Sequence, residues 1–302
     1  MAKVKSTKIH ETLGDSILDK VIGVFLVLFC IIILYPCIYV FSCSFSSSKA
    51  LESGLVVLWP VDFTLEAYEF VLKYRQVWIG FRNTLFYCVV CTLFNVFSNF
   101  IVAYPLSRRY FRGRTAYTIF FFITTRVSAG LIPTFITRCQ LGLFNSIWAI
   151  LLNGLCSVYT ILILRTAINS NIPEDLFDAA RIDGASHFQS MFTLAIPLTK
   201  AILAYQILGS FTGQWNEYFT SMIYLRDTNL FPIQLVLRPI MTAASARGQL
   251  QAGGSLSAQQ AESGLENVRY ALILMTTVPI SVVYMFCQKH FKAGVMVGSL
   301  KG

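Results

Sequence analysis

Side chains able to do chemistry are few in this chain, and they gather in two stretches. The first is Gln214-Trp215-Asn216-Glu217-Tyr218, inside an apolar run; Glu217 there and Arg126 in an earlier run are the two charges placed at membrane depth. An ionisable group in hydrocarbon must face a partner, the protein interior or water. Two uses follow. Arg126 and Glu217 either pair and hold their segments together, or they join Gln214, Trp215, Asn216 and Tyr218 along a polar path. An aromatic ring beside amides and a carboxylate suits a sugar, whose C–H faces stack while its hydroxyls form hydrogen bonds.

The second stretch, residues 173–197, reads Pro-Glu-Asp-Leu-Phe-Asp-Ala-Ala-Arg-Ile-Asp-Gly-Ala-Ser-His-Phe-Gln-Ser-Met-Phe-Thr-Leu-Ala-Ile-Pro. It is water-compatible and predicts two short helices. Pro173 suits a first helical position, where a missing N–H is harmless. Glu174 and Asp175 then favour the positive end of the helix dipole. Gly184 can end that helix, and Ser186 can cap a second one running to Pro197. Ala179, Ala180, Gly184 and Ala185 give a surface that seats closely in a cleft of another protein, with Asp178, Arg181 and Asp183 at its rim. The plainer alternative is a hairpin that only joins two membrane spans.

Neither stretch is a catalytic site. The chain has no glycine-rich phosphate loop followed by Lys-Ser/Thr, no Gly-x-Ser-x-Gly elbow, and no paired carboxylates on one helix in an enclosed pocket. Asp178 and Asp183, five residues apart, are out of phase. None of His10, His187 and His290 has a metal-ligand partner at useful spacing. Cys88-Val-Val-Cys91 has redox or zinc spacing but sits in an apolar helix, where cysteines serve as small fillers. No catalytic residue, metal or cofactor is expected in this chain, and a nucleotide that energised transport would have to bind another subunit.

The elements that position these stretches are membrane spans. Of 302 residues, 55% are hydrophobic and 13% charged, and the mean hydropathy is +0.62. A bilayer-crossing helix needs about 20 apolar residues. Runs 21–43, 83–107, 115–137, 148–166, 200–224 and 268–288 qualify, which predicts an all-α integral membrane protein with six transmembrane helices in a single domain over 21–302. The third run is interrupted by Arg126, Gly130 and Pro133. The net charge of +9 is dispersed rather than gathered on one face, so no nucleic acid is expected. Of the 24 Lys and Arg, 14 fall on one side of this arrangement and nine on the other, with Arg126 inside a span. The positive-inside bias then puts both termini, loop 108–114 and segment 167–199 in the cytoplasm. Segments 44–82, 138–147 and 225–267 lie outside; the 243–264 part, rich in Ala, Ser, Gly and Gln, is expected to be mobile. Residues 1–20 suit an interfacial helix on the cytoplasmic surface, and 291–302 a flexible basic tail. Thr64 is expected to cap a short helix, and Gly209 with Gly213 to allow close helix approach.

The order Asp178-Ala179-Ala180, three residues, Gly184, nine residues, Leu194-Ala195-Ile196-Pro197 resembles the Glu-Ala-Ala signature of permease subunits of binding-protein-dependent ABC importers. It departs conservatively at 178, 194 and 196. Arg82-Asn83-Thr84-Leu85, Ala103-Tyr104-Pro105-Leu106-Ser107-Arg108, Gly130-Leu131-Ile132-Pro133-Thr134, Trp215-Asn216-Glu217-Tyr218 and the Gly294 to Gly302 tail are similar to the carbohydrate-uptake type, nearest the branch for complex oligosaccharides. The resemblance implies the type I importer permease fold in a prokaryotic plasma membrane. It also implies a homologous second permease as partner, two ATPase subunits that bind ATP and Mg, an extracytoplasmic solute-binding protein and an oligosaccharide substrate. The helix carrying Glu174, Asp178, Ala179, Ala180, Arg181, Asp183 and Gly184 would couple to an ATPase. Two other readings stay open on residue type: an ion-coupled secondary transporter or channel, against which stands the lack of a detectable repeat, and a membrane enzyme with only Glu217 and scattered polar residues behind it.

Overall fold

In lipid an open backbone must satisfy its own hydrogen bonds, and helices do so within one segment. The computed structural model describes residues 13–127, 129–239 and 267–299, and among these there is no strand. Its main helices are α1 (Leu13–Ser44), α2 (Arg75–Ser107), α3 (Arg114–Arg126), α4 (Leu131–Gln140), α5 (Val158–Asn171), α6 (Glu174–Ile182), α7 (Lys200–Trp215) and α8 (Val268–Ser299). Three stretches are long and apolar enough to cross a membrane: Ile17–Ser44, Arg75–Ser107 and Val268–Lys289. Two bent pairs, α3 with α4 and His187–Leu198 with α7, raise that to five if each pair is one span.

The expected fourth run differs most. Over 148–166 the chain forms a short helix, Trp148–Leu151, breaks, and restarts as α5 at Val158, running on to Asn171. The break has a local cause. Gly154 takes φ 83°, and the Ser157 side chain caps α5 by accepting from Thr160 N at 3.4 Å. Run 200–224 also splits: α7 stops at Trp215 and a separate helix covers Phe219–Tyr224. Most of segment 1–20, the 243–264 loop and the side chains of the 291–302 tail lie outside the described residues. The backbone of 291–299 continues α8 rather than forming a flexible tail, since an existing helix extends at one hydrogen bond per added residue.

The chain packs as two units. In the first, residues up to Val71 join 267–274. Cys43, Ala50 and Val56 form its core, with Tyr39 and Tyr270 against them. Buried serines make its polar joints: Ser42 Oγ donates to Leu58 O at 2.6 Å, and Asn267 Nδ2 to Ser46 O at 2.9 Å. Thr64 Oγ1 accepts from Glu66 N at 3.2 Å and opens the Glu66–Lys73 helix, as its residue type suggests.

The second unit, Leu72 onward together with α8 from Met275, is built on α2, against which α5 and α7 pack. Near the start of α2, three side chains hold the 229–233 segment. Asn83 Nδ2 donates to Asn229 O at 2.6 Å and Phe231 O at 3.1 Å, the Tyr87 hydroxyl donates to Leu230 O at 2.9 Å, and Thr84 Oγ1 accepts from Ile233 N at 2.7 Å. This seating needs Gly80, where an added Cβ would stand 3.0 Å from Ile233 Cα and 3.2 Å from Ile233 N. By contrast, nothing in the described structure lies within 4 Å of a Cβ at Gly209 or Gly213, so their expected close approach is not made there. Gly80→Val is therefore expected to destabilise the protein by about 1–3 kcal/mol through backbone overpacking, read as a lower thermal midpoint in detergent. An unchanged midpoint would show that the 229–233 segment yields freely.

Candidate functional site

The 173–197 stretch forms α6 and a second, shorter helix at His187–Ser190, continued by a π-helical turn at Met191–Ala195. Gly184 takes φ 83° beyond the end of α6, and Ser186 Oγ accepts from Gln189 N at 3.2 Å. Pro173 differs from expectation: it is the N-cap, with ψ 142°, and not the first helical residue. Its extended ψ turns the chain into α6, with Leu176 N donating to Pro173 O at 3.2 Å.

One side chain of α6, Phe177, is buried. Its ring meets Tyr104 of α2 edge-on, centroids 6.2 Å apart. Over the same ring, 3.6 Å from its centroid, lies the guanidinium of Arg108, which caps the end of α2 and is 1% exposed. Arg108 Nη1 stands 3.6 Å from Glu174 Oε2, and Nε donates to Ser107 Oγ at 3.1 Å. Burial pushes the guanidinium's pKa down, and the Glu174 carboxylate works against that shift. A desolvated cation–π contact of this kind is worth about 2 kcal/mol or more. Nearby, the Tyr110 hydroxyl shares a 3.1 Å hydrogen bond with His187 Nδ1, the two rings stack, and the Arg181 guanidinium lies over Tyr110. The opposite face of α6 is open. Asp178, Ala179, Arg181, Asp183 and Gly184 are exposed, Ala180 is half-buried, and Ile182 is 87% exposed.

The fifth apolar run lines a cavity of about 410 Å3 between α2, the Asn153–Ile163 segment and α7. Gln214 and Glu217 line it, and so do Gly209 and Gly213, whose missing side chains leave it open. A chain of polar contacts edges it: Arg138 Nη2 donates to Asn153 Oδ1 at 2.9 Å, Asn153 Nδ2 to Thr220 Oγ1 at 3.2 Å, and Thr220 N to Glu217 Oε1 at 2.7 Å. Deeper in, Gln206 Nε2 bonds Asn95 O and Asn95 Oδ1 at 3.2 and 3.3 Å. Asn95 Nδ2 donates to Gly154 O at 2.5 Å, Asn99 Nδ2 donates to Asn95 Oδ1 at 3.0 Å, and Asn99 Oδ1 accepts from Ser157 N at 2.8 Å. Gln206 Oε1 is buried without a hydrogen-bond partner among the described residues.

The other sequence-derived residues stand apart from this lining. Trp215 is 1% exposed, stacked on Phe211 at 5.9 Å and tilted against Phe81 at 6.2 Å. Asn216 ends α7 by donating from Nδ2 to Thr212 O at 3.0 Å. Tyr218 lies under the Arg238 guanidinium. Arg126 is exposed at the end of α3, over Phe122, and no ion pair joins it to Glu217 among the described residues. Residue-type reasoning missed Arg108, Phe177, Asn95, Asn99, Asn153 and Gln206 as site residues. Tyr104 and Arg108, like Asn95 and Asn99, are spaced i, i+4 on one helix face, which was the available signal.

No family model matches the chain. It is 32% identical over 289 residues, 95% of this chain and 99% of the other, to the polygalacturonan/rhamnogalacturonan transport system permease protein YtcP of Bacillus subtilis (strain 168). It is 30% identical over 293 residues, 97% and 98% of the two chains, to protein LplC of the same organism. The chain belongs to the permease family of sugar-importing ABC transporters. Among solved structures, it matches a chain of a bacterial ABC transporter involved in the import of the acidic polysaccharide alginate, with a TM-score of 0.82 and 32% identity, covering 94% of this chain and 100% of that one. A member of this permease family is a transport subunit and not an enzyme, and its apolar helices are those of a membrane protein.

The buried position of Trp215 separates support from contact. Trp215→Ala is expected to remove about 3–5 kcal/mol of stability, while Gln214→Ala leaves the thermal midpoint within a few degrees. Equal midpoints for the two variants would mean that Trp215 is not packed as described.

Proposed function

We propose that this permease is one of two homologous membrane subunits of an ATP-driven oligosaccharide importer. The exposed face of α6 carries the reading. A short helix held by one buried phenylalanine presents Ile182, 87% exposed, among Asp178, Ala179, Arg181 and Asp183. An apolar side chain on small residues with charges around it fits a groove of another protein better than lipid or water. In this reading Glu174, Asp178, Ala179, Ala180, Arg181, Asp183 and Gly184 couple to an ATPase subunit. ATP and Mg are bound by two such subunits, and closure of that pair shifts α6. Six spans cross the plasma membrane of a prokaryote with both termini in the cytoplasm: α1, α2, the α3–α4 pair, 148–171, the run ending in α7, and α8. An extracytoplasmic binding protein delivers the oligosaccharide; a saccharide cargo is supported by the polygalacturonan/rhamnogalacturonan and alginate that the names of the relatives give for those proteins.

The sugar's route passes the cavity, where amides and hydroxyls alternate with the ring of Tyr205 and the carboxylate of Glu217. Gln214 and Glu217 touch the passing sugar. Trp215, Asn216 and Tyr218 shape that end of α7, and Arg126 belongs to the path only where a second subunit completes it.

Ile182→Asp, at a surface position, is expected to lower uptake at least tenfold and to reduce co-purification of the ATPase subunits, with membrane levels unchanged. Normal uptake would remove the coupling role of α6. The paired variant Gln214→Ala/Glu217→Ala is expected to lower uptake at least fivefold with normal ATPase association. Unaltered uptake would make this end of the fifth run structural only.

A further inference from the structure

α6 reaches the core of its unit through one ring and one charge. Phe177 supplies the ring, packed against Tyr104 at 6.2 Å and under the Arg108 guanidinium at 3.6 Å. Glu174 supplies the charge, 3.6 Å from Arg108 Nη1. Asp178 and Tyr110 also face Arg108 electrostatically. Yet Nη1 and Nη2, both buried, have no hydrogen-bond acceptor among the described residues. Buried donors without acceptors are unfavourable, and an N–H···O bond to a carboxylate forms at about 2.7–2.9 Å. The clasp is thus half made. Closing the Arg108–Glu174 gap by roughly 1 Å brings the carboxylate into bonding range, and widening it by as much abolishes the contact. A contact biases a conformational equilibrium only if its strength differs between the two states, and one left 3.6 Å apart is sensitive to small displacements of α6.

Its far side is anchored to the cavity. Arg108 caps α2, and Asn95, on the same helix roughly 20 Å away at about 1.5 Å per residue, lines the cavity and bonds Gln206 of α7. We propose that Arg108 is a positioning residue for transport: its contact with Glu174 tightens or loosens as α6 moves, and α2 carries the change to the cavity wall. This rests on the reading of α6 as the ATPase-docking helix.

The test uses the full importer complex in nanodiscs, with a cysteine introduced at Ser210 in the cavity wall. Its reaction rate with N-ethylmaleimide is followed by peptide mass spectrometry, with and without ATP plus vanadate. In the parent complex, trapping is expected to change the rate at least fivefold. Arg108→Gln and Glu174→Gln should each cut that change to less than a third, and the double variant should lose no more than either single one, because both act through one contact. A single variant that keeps more than a third of the change, or a double variant that loses more than either, overturns the proposal. If Arg108→Gln does not assemble, Arg108→Lys replaces it under the same criteria, since an ammonium lacks the planar fork that lies over Phe177. An assembled parent complex with no nucleotide-dependent change overturns the coupling role of α6 itself, an outcome distinct from a responsive parent with insensitive variants.

Discussion

A buried guanidinium lying flat on a phenylalanine ring is the contact on which the placement of α6 depends. A helix of nine residues is too short to hold itself together in water, and α6 buries one side chain. Its orientation therefore comes from outside, from Tyr104 and Arg108 at the end of α2. Their spacing of i, i+4 sets a ring and a cation on one helical face, with a slot between them for Phe177. A leucine in that slot would fill volume but could not attract the cation, and a lysine above it would not lie flat. The residue types are matched to one another as a set.

The same helix settles a second problem. Where helices break, backbone groups are left that some other group must satisfy. Here the amides of α2 do so at successive levels. Asn83 binds carbonyls of the 229–231 segment, Asn95 binds Gly154 O, and Asn99 accepts the N–H of Ser157. Each contact sits where another part of the chain departs from regular helix. α2 thus remains continuous from Arg75 to Ser107 while its neighbours break, which is what a mechanical strut between α6 and the cavity requires.

What the sequence made legible was local. Caps at Thr64 and Ser186, the left-handed Gly184 and the interruption of the third run are written in adjacent residues, and each is present in the structure. The break of the fourth run was hidden, because hydropathy averaged over 148–166 absorbs a Gly and a Ser whose partners lie on α2 and an Asn that binds Arg138 and Thr220. Trp215 misled for a related reason. Its neighbours Gln214 and Glu217 line the cavity, but a helix turns about 100° per residue, and the ring between them points into Phe81 and Phe211. Arg108 was legible as a charge and as part of a family motif, while its burial under α6 depended on a partner nearly seventy residues away. Pro173 shows the smallest kind of miss, one position at a helix start, where neighbouring assignments differ little in energy.

The glycines of α7 bear on how such a permease diversifies. Gly209 and Gly213 face open space, so a methyl at either meets no atom within 4 Å. Helix propensity favours that change by about 1 kcal/mol each. The cavity can therefore be narrowed in steps of one carbon without a clash among the described residues. On the proposed sugar route the two positions act as a caliper, by which cargo size is adjusted separately from the contact at α6.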